Sequence, residues 1–481
     1  MHVTRRQFVG GSAAAGLASQ VRAEPRGNLR AGSARSNITP PLGSPIVGNF
    51  TIPLAAEVHD DLHVRAVVLD NGRTRLALAT VDVCVLPRGP IDRAKALVEK
   101  RIGIPPAHII ISAIHTHSGP ATAELLQGKP DPVYMDFLVL RIADAICRAA
   151  NHLEPARIGF GVGSESRLVF NRRYFMKPGT IGPDPFGRSN DTVRTNPGYN
   201  NPNIIRPAGP IDPEVGVLVV ASLGGRPISV VGNYALHYVG GVPGDHISAD
   251  YFAVWADSVA SLAGTAGKVL YPPFTPILTN ACSGDINNAD FLHGPGLPRP
   301  YEQMQRVADM LAAECYRTWR SMDFTDSIEL AASHEEIELA IRKPDAADIA
   351  HARKVLKTRP ETGQFTALNR SYAKETLGLA ETYPQSIRTV VQVWRIGSLG
   401  IATFPGEAFV ELGLEVKAKS PFKPTFLIEL ANDYRGYIPT VRAMHEGGYE
   451  TWRAKSSCLE EQAAPKLVAA VLRQLEAVSK L

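Results

Sequence analysis

Residues 109–120 read IIISAIHTHSGP, an apolar run that ends in His115 and His117 and breaks at Ser118, Gly119 and Pro120. A short apolar run closed by turn residues reads as a buried strand, placed here over 107–115. Residues two apart on a strand face the same side, so His115 and His117 are expected to open onto one space at the strand's mouth. Two imidazoles there suit a metal or proton-transfer site, and equally a pair of histidines hydrogen-bonded in a loop. Two histidines do not by themselves complete a zinc site.

Upstream of this stretch, 64–70 and 76–86 are apolar runs split by Asn71-Gly72, a hairpin signal, and 91–102 has a helical pattern. Downstream, 132–153 is an amphipathic helix with Leu138, Ile142, Ile146 and Ala149 at helical spacing. The stretch 176–213 is rich in Gly, Pro and Asn and has no periodicity; it is expected to be a loop folded over a site. Strands follow at 215–223 and 228–237 around a Gly-Gly-Arg-Pro turn, then a helix over 250–262 and a short strand over 276–281. A helix over 301–322 aligns Met304, Val307, Leu311, Cys315 and Trp319, and 345–381 reads as a charged, helical surface excursion. The apolar pattern resumes at 389–394, 399–403 and 425–430 and closes in a helix over 465–481. The expected fold is α/β, with mixed β-sheets in the core flanked by helices. One domain is expected over 24–481, since no repeat and no linker divides it.

Composition narrows the function. Of 481 residues, 44% are hydrophobic and 20% charged, as in an ordinary globular protein, and the formal charge of +4 comes without a Lys/Arg block. A nucleic-acid partner is therefore not expected. The five cysteines, Cys84, Cys147, Cys282, Cys315 and Cys458, are scattered and form no CxxC pair, which argues against a disulfide framework and a cysteine zinc site. No run is apolar enough to span a membrane. The first 23 residues differ: Thr4-Arg5-Arg6-Gln7-Phe8-Val9 precedes a Gly/Ala-rich stretch and Val21-Arg22-Ala23. That pattern reads as a twin-arginine export signal, and it places the mature protein in the periplasm or outside the cell.

Four segments share one design, an apolar strand ending in a candidate ligand and then a turn. They are IIISAIHTHSGP, ISVVGNYALHYVGG, LGIATFPGEAF and TFLIELANDYRGY, and they present His115 with His117, His237, Glu407, and Tyr434 with Tyr437. Strand ends commonly converge on one rim of a sheet. Two histidines and a carboxylate are what a catalytic zinc takes while keeping a position open for water; manganese or iron would accept such ligands too.

HTHSGP, NITPPLG near the mature start, FNRR at 170–173, FPGE at 404–407 and NDYRGYIPT at 432–440 occur in one order along the chain. Together they resemble the neutral, non-lysosomal ceramidase family, zinc-dependent amide hydrolases that cleave N-acyl sphingosine. The resemblance covers nearly all of the mature chain. It implies a single Zn2+ held by His115, His237, Glu407 and Tyr437, with His117, Arg172 and Tyr449 around the scissile amide of a lipid or other small N-acyl substrate. A nearby dication stabilises phenolate, so a tyrosine ligand is chemically reasonable.

Two departures from the family stand out. Its GDVSPN motif, which carries a catalytic serine, appears as Gly284-Asp285-Ile286-Asn287-Asn288-Ala289, with Asn287 at the serine position; Ser283 is out of register. An amide donates to an oxyanion but is no nucleophile. The immunoglobulin-like domain that follows the family's catalytic domain is not expected here, since roughly one helix is left after Tyr449.

On the resemblance, Arg172, Tyr449 and Asn287 stabilise negative charge on oxygen, and His117 carries a proton to the leaving amine. Each has a plainer reading: Arg172 as partner to a carboxylate, Asn287 as a turn cap, Tyr434 as core, Asp245 and His246 as support for ligating histidines. Three functions remain compatible: an amidase on an N-acyl compound, a metallohydrolase on an ester or carbohydrate-linked group, and a non-catalytic binding protein. The polar make-up of 176–213 does not suit a sleeve for two long alkyl chains.

Overall fold

In a computed structural model, which describes residues 27–48, 52–124, 128–296 and 298–481, eight strands build the main sheet. They are β1 (Arg30–Asn37), β2 (His63–Asp70), β3 (Arg75–Val81), β4 (Ile109–Ala113), β5 (Glu154–Ser164), β6 (Glu214–Ser222), β7 (Pro227–Tyr234) and β8 (Thr275–Asn280). Their order is β8-β7-β6-β5-β1-β2-β3-β4. The pairs β8/β7 and β3/β4 are parallel and the others antiparallel, which makes the sheet mixed, as the sequence led one to expect. The export signal expected over 1–23 lies outside the described residues.

Both faces of this sheet are buried, and side-chain alternation divides the residues between two cores. Val64, Ala66 and Val68 of β2, Ala77, Ala79 and Val81 of β3, and Val215, Val217 and Val219 of β6 face helices. Those helices are α1 (Arg88–Ile102), α2 (Pro132–Asn151), α3 (Tyr251–Leu262) and α4 (Glu302–Arg320). Asp131 caps α2 by accepting from Val133 N, with Pro132 at the first turn where no donor is needed. The larger side chains of the opposite face, Leu76, Leu78, Ile110, Leu218 and Val231, pack on a second sheet.

That second sheet consists of β9 (Leu330–Ala340), β10 (Ser386–Ile396), β11 (Leu399–Thr403) and β12 (Thr425–Ile428) in that order. It contributes Trp394, Ile401 and Phe426 to the core between the sheets. Its far side, through Val391, Val393 and Leu427, is covered by α7 (Val410–Lys419) and α8 (Ala463–Ser479). The protein is thus layered helix, sheet, sheet, helix. Burying a Leu, Val or Ile contributes about 1.5–3 kcal/mol, so three such interfaces hold the strand ends in place.

The charged excursion is two helices, α5 (Ala346–Lys357) and α6 (Ala367–Glu381), which share a small core of Ala352, Val355 and Ala373. The stretch 176–213 departs from expectation. Arg173–Met176, Val193–Thr195 and Ile204–Pro207 pair into a three-stranded sheet, so the region is a small structured lobe and not a bare loop. Main-chain pairing there needs no apolar alternation, and strands of three and four residues are too short to show a period. None of the helices among the described residues is long and apolar enough to cross a membrane.

Candidate metal centre

Four strand ends meet at one point. Strand β4 stops at Ala113, whose N–H donates to Leu430 O, and the chain continues with Ile114 N to Val81 O and His115 N to Val83 O. His115 itself adopts φ +72°, the left-handed region that costs a non-glycine residue energy. The expectation that His115 and His117 share a space holds, but by a different route: they lie past the strand in this strained turn, with their Nε2 atoms 3.2 Å apart. His115 Nδ1 lies 2.8 Å from Cys84 O; donation there leaves Nε2 as the ring nitrogen that faces Glu407.

His237 follows β7 and is 1% exposed. Its Nε2 lies 3.3 Å from His117 Nε2 and its Nδ1 3.8 Å from Glu407 Oε2. Glu407 sits just beyond β11, in a two-residue parallel pairing in which Glu407 is the register partner of Tyr437. That pairing places carboxylate and phenol side by side. Gly406 and Gly284 permit the crowding: a Cβ on Gly406 would stand 2.3 Å from Gly436 O, and one on Gly284 2.4 Å from Glu407 O.

Glu407 is buried; Oε1 accepts from Tyr434 at 3.0 Å, and Oε2 lies 3.4 Å from His115 Nε2. Oε2 has no hydrogen-bond donor, which is costly for a buried carboxylate oxygen. Donor atoms of His115, His237 and Glu407 all lie within 4.8 Å of one another, and Cys84, His115 and His117 form an adjoining group of the same kind. The Tyr437 hydroxyl is within hydrogen-bonding reach of Glu407 and Arg172, and the Arg172 guanidinium carbon stands 5.4 Å over the Tyr437 ring.

Charges at the site follow from burial and neighbours. Burial, His115 and Arg172 press His117 down to about 3, and burial with Arg172 drives His237 well below its usual value, so both are neutral and carry lone pairs. Burial works against a charged Glu407, but His115 and Arg172 prevail and keep it an anion. For His115 burial opposes the charged form and Cys84 and Glu407 outweigh it. Burial keeps the Tyr437 phenol protonated against the pull of Arg172; a cation at its oxygen would reverse this.

Arg172 is committed on every side. Its Nε donates to Glu450 at 2.8 Å, Nη2 to Gly284 O at 2.8 Å, and Nη1 lies 3.0 Å from His237 Nδ1. The carboxylate partner is therefore present, and the same guanidinium also fixes a candidate ligand. Glu450, fully buried, accepts as well from Arg173 at 3.0 Å and Thr195 at 2.7 Å. Tyr449 stands edge-on to Tyr437 with ring centres 5.7 Å apart. Asn287 pairs in register with Phe170, and its amide donates to Asn196 Oδ1 at 2.9 Å. Asn196 N in turn donates to Arg172 O, which ties Asn287 to the arginine's backbone.

Support for the histidine turn comes from a neighbour of the residues the sequence suggested. His246 contacts Tyr301, and Asp245 serves through its backbone carbonyl to Ala56, so neither reaches the ligand histidines. Instead Asp250 accepts from His117 N at 3.1 Å and Ser248 O accepts from Thr116. Burial pushes Asp250 up to about 7. Ser283 donates to the buried Glu429. Glu450 lies next to Tyr449 and Asp250 four residues after His246, but a carboxylate reads as solvated until its burial is known.

No protein-family model matches the sequence, and no curated protein matches it. Among solved structures, the chain is similar to the neutral ceramidase from Pseudomonas aeruginosa, at a TM-score of 0.69 and 17% identity, over 94% of this chain and 75% of that one. It is similar to a ceramidase complexed with C2 at a TM-score of 0.68 and 16% identity, with the same coverage. The chain therefore has the neutral ceramidase fold.

Proposed function

We propose that this chain is an exported, zinc-dependent hydrolase that cleaves an N-acyl amide bond, with one domain over 24–481 and a single Zn2+ held by His115, His237, Glu407 and Tyr437. The observation that carries the reading is Glu407 Oε2, a buried carboxylate oxygen without a donor, 3.4 Å from His115 Nε2 and 3.8 Å from His237 Nδ1. A cation completes that oxygen, and with His115 deprotonated on binding it accepts a lone pair from each imidazole. The fold shared with ceramidases supports the same reading.

Bound there, zinc supplies Lewis acidity, polarising a carbonyl and lowering the pKa of water. The chain's own groups supply the rest. Arg172, clamped by Glu450, orients the His237 ring. Tyr449 presents its hydroxyl to negative charge building on the acyl oxygen. His117, uncharged at neutral pH, takes a proton and delivers it to the leaving amine. Asn287, engaged by Asn196, cannot serve as a nucleophile; it steadies the strand that carries Arg172.

The test is amine release by zinc-loaded protein from C12-ceramide, N-acyl amino acids and N-acyl amino sugars, beside acid release from acyl esters. Release of amine from any N-acyl compound is the expected result. Hydrolysis of esters alone would replace the amide with an ester as the bond cleaved.

A further inference from the structure

Beside the candidate metal centre lies a cavity of about 250 Å³ lined by 181–183, by Asp191, Arg194 and Thr195, and by Tyr449 and Trp452. It shares structure with the centre on two sides. Tyr449 forms part of its wall and stands against Tyr437. Thr195 forms another part and donates to Glu450, the carboxylate that holds Arg172. A group bound in the cavity would sit one aromatic ring away from the reacting bond.

The walls define what fits. Asp191 is half-buried, and its Oδ2 accepts from the Trp452 indole N–H at 2.8 Å, which fixes both side chains. Arg194, exposed at the cavity's rim, carries the opposite charge. Trp452 and Tyr449 stand edge to face, ring centres 6.1 Å apart, and offer flat apolar surface between those charges. An alkyl chain in this space would strip water from a carboxylate and a guanidinium and return no hydrogen bond, which is costly. A simple cation or anion would meet an opposing charge beside its partner. A ring that bears hydroxyls answers all of it: C–H faces lie on the aromatic side chains while neighbouring hydroxyls donate to the carboxylate and accept from the guanidinium.

We propose that this cavity is the subsite for a hydroxylated sugar ring, which makes the substrate an N-acylated amino sugar and not a two-chain sphingolipid. The inference rests on the amide-hydrolase reading above. In the reaction one water is consumed: the amide C–N bond breaks, the carbonyl carbon gains the water oxygen, and a proton goes to nitrogen. The products are a carboxylic acid and a free amino sugar.

Two measurements test it, one of them independent of turnover. The metal-free full chain is titrated with N-acetylglucosamine while tryptophan fluorescence is followed, in wild type and in Asp191→Asn, a substitution that keeps side-chain shape. Saturable quenching is expected, weakened by about tenfold in the variant, the loss of one hydrogen bond to a charged group. The zinc-loaded enzymes are then compared on N-acetylglucosamine, C12-ceramide and an N-acyl amino acid. The amino-sugar amide should be preferred, and Asp191→Asn should raise its KM about tenfold with kcat little changed. Absence of saturable sugar binding, binding equal in the variant, or preference for ceramide or the amino-acid amide overturns the subsite. Sugar binding that depends on Asp191 without cleavage of any amide would instead overturn the amidase reading and leave the subsite standing.

Discussion

The candidate metal cluster and the cavity beside it are built by opposite means. At the cluster, His115, His237 and Glu407 come from the ends of strands locked between packed layers, and all are nine-tenths buried or more. At the cavity, Asp191, Arg194 and Thr195 sit on the three-stranded lobe and its turns, partly open to solvent. Layers that bury large apolar faces give rigid, dry placement, where a donor shift of an ångström is resisted by the core. A lobe held by short pairings tolerates exchange of side chains. On the proposed reading bond chemistry and substrate choice are thereby separated, and Glu450 joins the two regions, since it accepts from Arg172 on one side and Thr195 on the other.

If that division is right, damage at the cluster should be all-or-none. His237→Ala should lose the metal and reduce turnover by about a thousandfold or more, roughly 4 kcal/mol in the barrier, with the fold intact by circular dichroism. Glu450→Gln, at the junction, removes the charge opposite two buried arginines. Breaking such a pair costs about 3–5 kcal/mol, read by urea unfolding. Its kcat should fall while metal content stays near wild type, because Arg172 positions a ligand without binding the metal.

Phe426→Ala, in the core between the sheets, should cost about 3–5 kcal/mol of stability and leave metal content and kcat unchanged at temperatures where the protein is folded. A last effect is a pH dependence away from both regions. Lys95 on α1 is buried, and desolvation lowers it to about 7. Between about 7 and its unfolded value near 10.5 the unfolded chain holds a proton that the folded chain has lost, so stability rises with pH. That contribution is present above about 10.5 and lost as pH falls through about 7. Lys95→Met should flatten the profile in this window, as measured by thermal unfolding across pH.

The cluster was the more legible half of the molecule. His115, His117, His237, Glu407 and Tyr437 each end an apolar run, and apolar runs are the strongest signal a sequence carries. Strands β1, β5 and β9 left no such signal. In β1 small residues pack close beneath α2, where a Cβ on Gly32 would stand 2.3 Å from Ala149 O. β9 is an edge strand whose outer face carries His334, Glu336 and Glu338, a composition that guards an edge against pairing and reads as loop or helix. The cavity was legible only as composition: a polar, Gly/Asn-rich stretch. Asp191, Arg194 and Trp452 are brought together by pairings between residues far apart in sequence, and no local pattern encodes them.

The central claim is that Glu407 Oε2 and its two histidines are arranged for a cation. The direct test is metal content of the purified mature protein by mass spectrometry, with Glu407→Gln as the matched variant. The account predicts close to one zinc per chain in the wild type and close to none in the variant, with both proteins folded. Wild-type protein that takes up no divalent metal after equilibration with zinc, or a variant that retains it fully, would contradict the account.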